Sequence, residues 1–288
     1  MTTDRWASWL LHRRDGGSAE LRERFAATLT GYRDGVLDRA AIAEGDVVLD
    51  VGTGTGLVGL GALHRVGPSG RVVFSDVSAA LLEECRRLAD PERSSFVEAA
   101  ADDLSPIADA SVDVVTTRSV LIYVARKREA FAELFRVLRP GGRLSIFEPI
   151  NTFSVRAGAA DPFGLGLDFT AVADLVAKVR AHYAANAPAA DPMLDFDERD
   201  LLRWAGEAGF TGLSLDYRAE IDVPAPPVTD WAALKRTAPN PLVPTYAEAI
   251  EAALTPAERE RLDSHVRDLA GTPTRHTMAT AYLTAFRC

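Results

Sequence analysis

The sequence predicts an α/β protein built on a doubly wound, mostly parallel sheet. Three observations carry that prediction. Short apolar runs alternate with amphipathic stretches from residue 45 onward. A glycine-rich turn joins the first run to the first of those stretches. Hydrophobic residues make up 47% of the 288 positions and charged ones 25%. Such alternation puts helices on both faces of a parallel sheet. The composition is that of a globular chain with one sizeable core and additions.

Each element has its own signal. Residues 1–43 read as a helical cap, with Trp6, Trp9 and Leu10 on one face and Leu21, Phe25, Leu29, Tyr32 and Val36 at helical spacing. Strands are expected at 47–51, 71–76, 95–98, 112–117 and 142–148, with helices at about 56–66, 78–90 and 126–138, so that 44–150 forms a core. The rhythm then breaks at 151–196, a lid-like insertion rich in Ala, Pro, Gly and Asp, with one helical stretch near 168–185. A helix near 197–208 and a strand near 211–221 resume the core over 197–222. A second helical insertion fills 223–273, and its last helix has Thr255 as N-cap, Pro256 at N1, Glu258 at N3 and Gly271 past the end. The segment 274–288 ends in an alternating strand, 277–287, assigned to the core.

The charge balance of −9 argues against nucleic acid, which calls for a cationic surface. No stretch has the roughly 18 uncharged apolar residues of a membrane span, and the N-terminal apolar run is too short for a signal peptide, so a cytoplasmic protein is expected. Cys85 and Cys288 alone build neither a disulfide framework nor a Cys-rich zinc site, and no histidine pair has ligand spacing, so no metal is expected.

Leu49-Asp50-Val51-Gly52-Thr53-Gly54-Thr55-Gly56 is the most informative stretch. It ends a strand and opens a helix, where glycines permit tight turning and free N–H groups face a ligand. Gly54, Gly56 and Gly59 also match the G-x-G-x-x-G spacing of dinucleotide sites. Asp50 argues against that, because its charge repels a pyrophosphate and attracts a cationic amino group. Asp76 follows 20 residues after Gly56, where an acid accepts hydrogen bonds from ribose hydroxyls. Asp102 and Asp103 follow the third strand, and Arg139-Pro140-Gly141-Gly142 precedes the fifth.

In this order the four features resemble the class I S-adenosylmethionine-dependent methyltransferases, in the branch of ubiquinone/menaquinone-type and small-molecule enzymes. The resemblance covers about residues 44–150. It implies a Rossmann-like seven-stranded sheet with an antiparallel last strand, and S-adenosyl-L-methionine as cofactor with S-adenosyl-L-homocysteine as product. It also implies that Asp50, Gly52, Thr53, Gly54 and Gly56 surround the methionine portion, that Asp76 holds the ribose and that Val77 packs on the adenine. Ala101 and Asp102 would meet the adenine edge, with Arg118 near the sulfonium amino acid. Related sequences often carry an acid where this one has Ala100.

Methyl transfer from a sulfonium is an in-line displacement that gains most from alignment and exclusion of water, and a base is needed only for an acceptor that carries a proton. The carboxyl ends of strands four and five offer Arg118, Ser119, Tyr123, Glu148 and Asn151. Tyr123 and Glu148 are the polar acceptor-side candidates there, each equally suited to supporting the loop or the cofactor, and His182 of the first insertion is a third. The aromatics of the additions (Phe153, Phe163, Phe169, Tyr183, Trp231 and Tyr246) suit an apolar acceptor or the additions' own core. A small organic acceptor is expected. A peptide acceptor, a relative of this fold that binds the cofactor without transferring methyl, and a dehydrogenase are the rival readings.

Overall fold

A computed structural model describes residues 4–156, 163, 166–186 and 190–288. The chain enters through α1 (Arg5–Ser8), a π-helical turn at Trp9–Arg13 and the long α2 (Ala19–Arg39). There follow β1 (Val47–Val51), α3 (Leu57–Arg65), β2 (Arg71–Asp76), α4 (Ala79–Leu88), β3 (Ser94–Glu98) and β4 (Val112–Arg118). A one-turn 3₁₀ helix at Leu121–Tyr123 leads to α5 (Lys127–Val137), β5 (Leu138–Pro149) and α6 (Asn151–Arg156). The remainder is α7 (Ala173–Asn186), α8 (Glu198–Ala208), β6 (Thr211–Ala225), α9 (Trp231–Lys235), α10 (Tyr246–Ala253), α11 (Pro256–Asp268) and β7 (Thr274–Phe286).

The seven strands form one sheet in the order β3-β2-β1-β4-β5-β7-β6. The first five pair in parallel, and β7 runs antiparallel to β5, so the expected doubly wound sheet is present. Its centre is hydrophobic on both faces because helices cover both. Val48 lies in register with Val72 on one side and Val114 on the other, all three without solvent exposure. The expected helix ends also hold. Ser78 caps α4 by accepting the Leu81 N–H, and Thr255 and Glu258 close a capping box on α11 with Pro256 at its first position. Gly209 ends α8 at φ 102°, a left-handed conformation that favours glycine. Strand β6 is longer than the alternation predicts, running on to Ala225.

Contacts divide the chain into two compact units. The sheet unit comprises Ala26–Thr152, Pro192–Arg218 and Ala279–Cys288, and the second unit comprises Met1–Phe25, Phe153–Asp191 and Ala219–Met278. The boundary falls inside α2, where the sequence suggests a single N-terminal cap. Leu21 and Phe25 join the core of the second unit, while Tyr32, Val36 and Leu37 join that of the sheet unit. The first insertion is only partly described, since 157–162, 164–165 and 187–189 lie outside the described residues.

In the second unit four of the aromatics cluster. Phe163 sits 5.2 Å from Phe169, 5.3 Å from Tyr246 and 6.0 Å from Trp231, ring to ring, and the Tyr246 hydroxyl donates to the Phe163 carbonyl at 2.7 Å. Phe163, Phe169, Trp231 and Tyr246 therefore pack as one another's core.

In the sheet unit Phe147 plays the equivalent part. It is stacked on Tyr32 at 4.2 Å, lies 4.9 Å from Tyr282 and is almost fully buried. Phe147→Ala should therefore lower unfolding free energy by about 3–5 kcal/mol, as ring-to-methyl truncations in packed cores do, read as a fall in the urea midpoint.

Candidate functional site

The strand order reverses direction between β1 and β4, which places a crevice at their carboxyl ends. The glycine turn leaves β1 on one side of it and the turn 119–123 leaves β4 on the other. The site is built from these two turns and the end of β2.

Asp50 is buried at the end of β1, and its carboxylate is fully engaged by the protein. One oxygen accepts from Thr53 Oγ1 at 2.7 Å and from the Gly59 N–H at 2.9 Å, and the other accepts from Thr116 Oγ1 at 2.9 Å. Burial raises its pKa from 3.8 to about 6 against the pull of those donors. These bonds shape the glycine turn and tie it to β4. Gly52, Gly54 and Gly56 all have positive φ. At Gly52 the lack of a side chain also has a packing reason, since a Cβ there would lie 2.4 Å from Val120 Cγ2. Thr53 is buried within the turn, and its N–H donates to the Ser75 carbonyl. Cys85 donates to the Gly54 carbonyl, and burial, reinforced by Asp50, pushes its thiol up to about 12, so it stays an unreactive thiol.

Asp76 is buried at the end of β2, where it accepts from the Gly54 N–H at 2.8 Å and from the Ser78 N–H at 3.0 Å. It therefore links the glycine turn to the start of α4. Next to it Val77 leaves 47% of its surface exposed, an apolar platform beside a buried acid. The Ala99 N–H donates to the Asp76 carbonyl, which brings the segment after β3 alongside. There Ala101 is buried, Asp102 pairs with Arg126 at 2.8 Å, and Asp103 is an exposed turn residue accepting from the Ser105 N–H. A buried carboxylate, an exposed aliphatic platform and a left-handed glycine turn together fit an adenosyl amino acid. The structure thus brings together Asp50, Gly52, Thr53, Gly54, Gly56, Asp76, Val77 and the segment holding Ala101 and Asp102.

The acceptor-side candidates fare differently. Glu148 has no solvent exposure, and its two oxygens accept from the N–H groups of Val120 (2.9 Å), Leu121 (2.8 Å) and Ile122 (3.1 Å). Burial raises its pKa from 4.5 to about 7. That arrangement holds the turn, the loop-supporting role that the sequence leaves open beside an acceptor-side one. Tyr123 is raised by burial and by Glu148, so it keeps its proton at neutral pH and is suited to donating a hydrogen bond. Arg118 is lowered by burial, with Glu148 and Asp50 acting the other way, and Ser119 beside it has φ 55°. His182 lies on α7, which belongs to the second unit. Arg139 pairs with Asp113, and Arg139-Pro140-Gly141-Gly142, expected to precede the fifth strand, lies within β5 as a bulge between the paired Leu138 and Arg143. Among the described residues no group of three or more His, Cys, Asp or Glu is placed to hold a metal. No helix among them is long and apolar enough to cross a membrane.

Two supports of the site escape the sequence reading. Lys127 is buried, and its ammonium donates to the carbonyls of Val124 and Pro192 at 2.9 Å each and to Asp195 at 2.5 Å. Arg136 and Glu133 pin the segment after Asp103, through the carbonyls of Leu104 and Ile107 and the Leu104 N–H. Their spacing of three on a predicted helix is the one signal that was available for the second pair.

Known proteins match this core. The profile of a methyltransferase domain family matches residues 49–146, from the end of β1 into β5. Residues 49–146 belong to the class I S-adenosylmethionine-dependent methyltransferase family. The methyltransferase domain is similar to the ubiquinone/menaquinone biosynthesis C-methyltransferase of Pseudomonas fluorescens, 37% identical over 155 residues, covering 51% of this chain and 56% of that protein. It is also similar to the arsenite methyltransferase of Halobacterium salinarum, 35% identical over 115 residues, covering 39% of this chain and 29% of that protein. The chain thus spans little more than half the length of these relatives at most. In fold it resembles a chain from a Haloferax volcanii complex between a methyltransferase activator and a methyltransferase, with a TM-score of 0.54 and 21% identity over 100% of this chain and 99% of that one.

The two raised carboxyls of the methyltransferase domain give stability a pH dependence of fixed sign. Asp50 and Glu148 keep their protons to about pH 6 and about pH 7 when folded and lose them near 3.8 and 4.5 when unfolded. The native state therefore binds more protons across that interval, and unfolding free energy should fall as pH rises from about 4 to about 7, then level off. Glu148→Gln should flatten the upper half of that slope, measured by urea unfolding at stepped pH.

Proposed function

We propose that this chain transfers a methyl group from S-adenosyl-L-methionine to a small organic acceptor. The observation that carries the reading is the pairing, within the matched segment, of buried Asp76 with exposed Val77 beside the glycine turn. An acid in that position accepts from both ribose hydroxyls, and an aliphatic neighbour covers an adenine face. The bound cofactor supplies an electrophilic methyl on a sulfonium. The chain's own part is to grip the adenosyl and amino acid ends, exclude water and align the acceptor. Gly52, Thr53, Gly54, Gly56 and the backbone at Arg118 would hold the amino acid end, with Ala101 and Asp102 at the adenine edge. Tyr123 would donate a hydrogen bond and keep its own proton.

The choice of a small acceptor is supported by the names of the two curated relatives, one acting in quinone biosynthesis and one on arsenite. A labelled-methyl screen over small molecules and peptides tests the acceptor, and label appearing only in peptides would overturn the small-molecule assignment.

The cofactor is tested separately. Titration calorimetry should show S-adenosyl-L-homocysteine binding and no heat with NAD or NADP, whereas tight dinucleotide binding would reverse the assignment. Asp76→Ala should weaken S-adenosylmethionine and S-adenosylhomocysteine by similar factors, roughly ten- to several-hundred-fold, because the ribose hydroxyls are common to both.

A further inference from the structure

Glu148 is a buried acid that the proposed chemistry does not use. It ends β5, opposite Ala281 of β7, and the charged or titratable groups facing it are Arg118 from β4 and Tyr123 from the adjoining turn. Asp50 of β1 and Tyr32 of α2 also act on Arg118. A sheet position with no solvent exposure is ordinarily apolar, because a buried charge costs several kcal/mol unless it is well bonded.

Here the bonds are three backbone N–H groups at the start of the 3₁₀ turn, donors that a one-turn helix cannot satisfy internally. The turn needs holding. Ser119 sits at φ 55°, a strained conformation for a residue with a side chain, and the Ser119 N–H is tied to the Phe147 carbonyl at 2.8 Å. At its far end Lys127 grips the Val124 carbonyl. Val120, in the middle, packs against Gly52 so closely that no Cβ would fit there. A continuous line of contacts therefore runs from Glu148 through the turn to the glycine loop.

We propose that Glu148 is a positioning residue, which holds Val120 against Gly52 and thereby sets the crevice that receives the sulfonium amino acid. This rests on the methyltransferase reading. The ionised carboxylate accepts all three N–H groups, whereas a protonated acid or a glutamine gives up one acceptor site. Affinity for the cofactor product should then follow the ionisation of Glu148.

The test is calorimetric titration of S-adenosyl-L-homocysteine into wild type, Glu148→Gln and Val120→Ala, at stepped pH, with urea unfolding run alongside. Wild-type affinity should drop several-fold as pH falls through about 7. Glu148→Gln should bind about tenfold more weakly at pH about 8 and show no step near 7. Val120→Ala, which keeps the carboxylate, should also bind more weakly and still show the step. Product affinity in Glu148→Gln equal to wild type, at any stability, would overturn the proposal, as would a step near 7 that survives in that variant. If Glu148→Gln does not fold, the wild-type profile and Val120→Ala decide alone: a flat profile, or unchanged affinity in Val120→Ala, overturns it. Wild type that binds no S-adenosylhomocysteine at any pH would bring down the methyltransferase reading itself.

Discussion

Asp50 accepts three hydrogen bonds from inside the protein, and the crevice is shaped around them. Thr53 and Gly59 bring the glycine turn and the first turn of α3 to one oxygen, and Thr116 brings β4 to the other. The carboxylate thus fastens the strands on either side of the reversal point to the loop between them. In a site shielded from water such bonds are stronger than on the surface, and an unmet partner is costlier. Asp76 and Glu148 follow the same logic, each spending its oxygens on the backbone N–H groups of a turn that leaves a strand. Strand ends have no ladder partner for those N–H groups, and a buried acid is the substitute.

This arrangement bears on catalysis. The groups at the crevice are committed to architecture, and the two titratable groups nearest the β4 turn are unsuited to removing a proton. Glu148 is occupied, and Tyr123 is pushed above its ordinary range. Methyl transfer to a nucleophile without a proton to lose needs only alignment and dryness, and a rigid, acid-braced crevice supplies both.

Much of this was legible in the sequence. Strands β1 and β2 fall on their expected boundaries because runs such as Val47-Val48-Leu49 are buried on both faces and leave no ambiguity of period. Thr255, Pro256 and Glu258 mark the start of α11 because capping is a local matter of three residues. The glycine spacing with Asp50 and Asp76 located the crevice. It did not reveal the bonds that Asp50 makes inward, because Thr116 is 66 residues from Asp50 and meets it only through sheet pairing. Glu148 looked like a candidate for chemistry for the same reason: nothing in sequence tells a carboxylate facing a crevice from one facing backbone N–H groups. Lys127, one of three lysines in the chain, gave no sign that it is buried, since its partners lie as far away as Asp195.

The interleaving of the two units has a consequence for how the chain comes to be folded. The polypeptide passes from one unit to the other five times, and each unit draws on three separate stretches of sequence. During synthesis the sheet can begin to form once β4 has emerged, but β7 is the last strand made and sits between β5 and β6. Until it arrives β5 has an open edge, a surface prone to wrong partners. The second unit likewise waits for the stretch that ends at Met278. Such non-local closure is slow, so the nascent chain passes through an interval with an unfinished sheet, in which a holding chaperone would matter most.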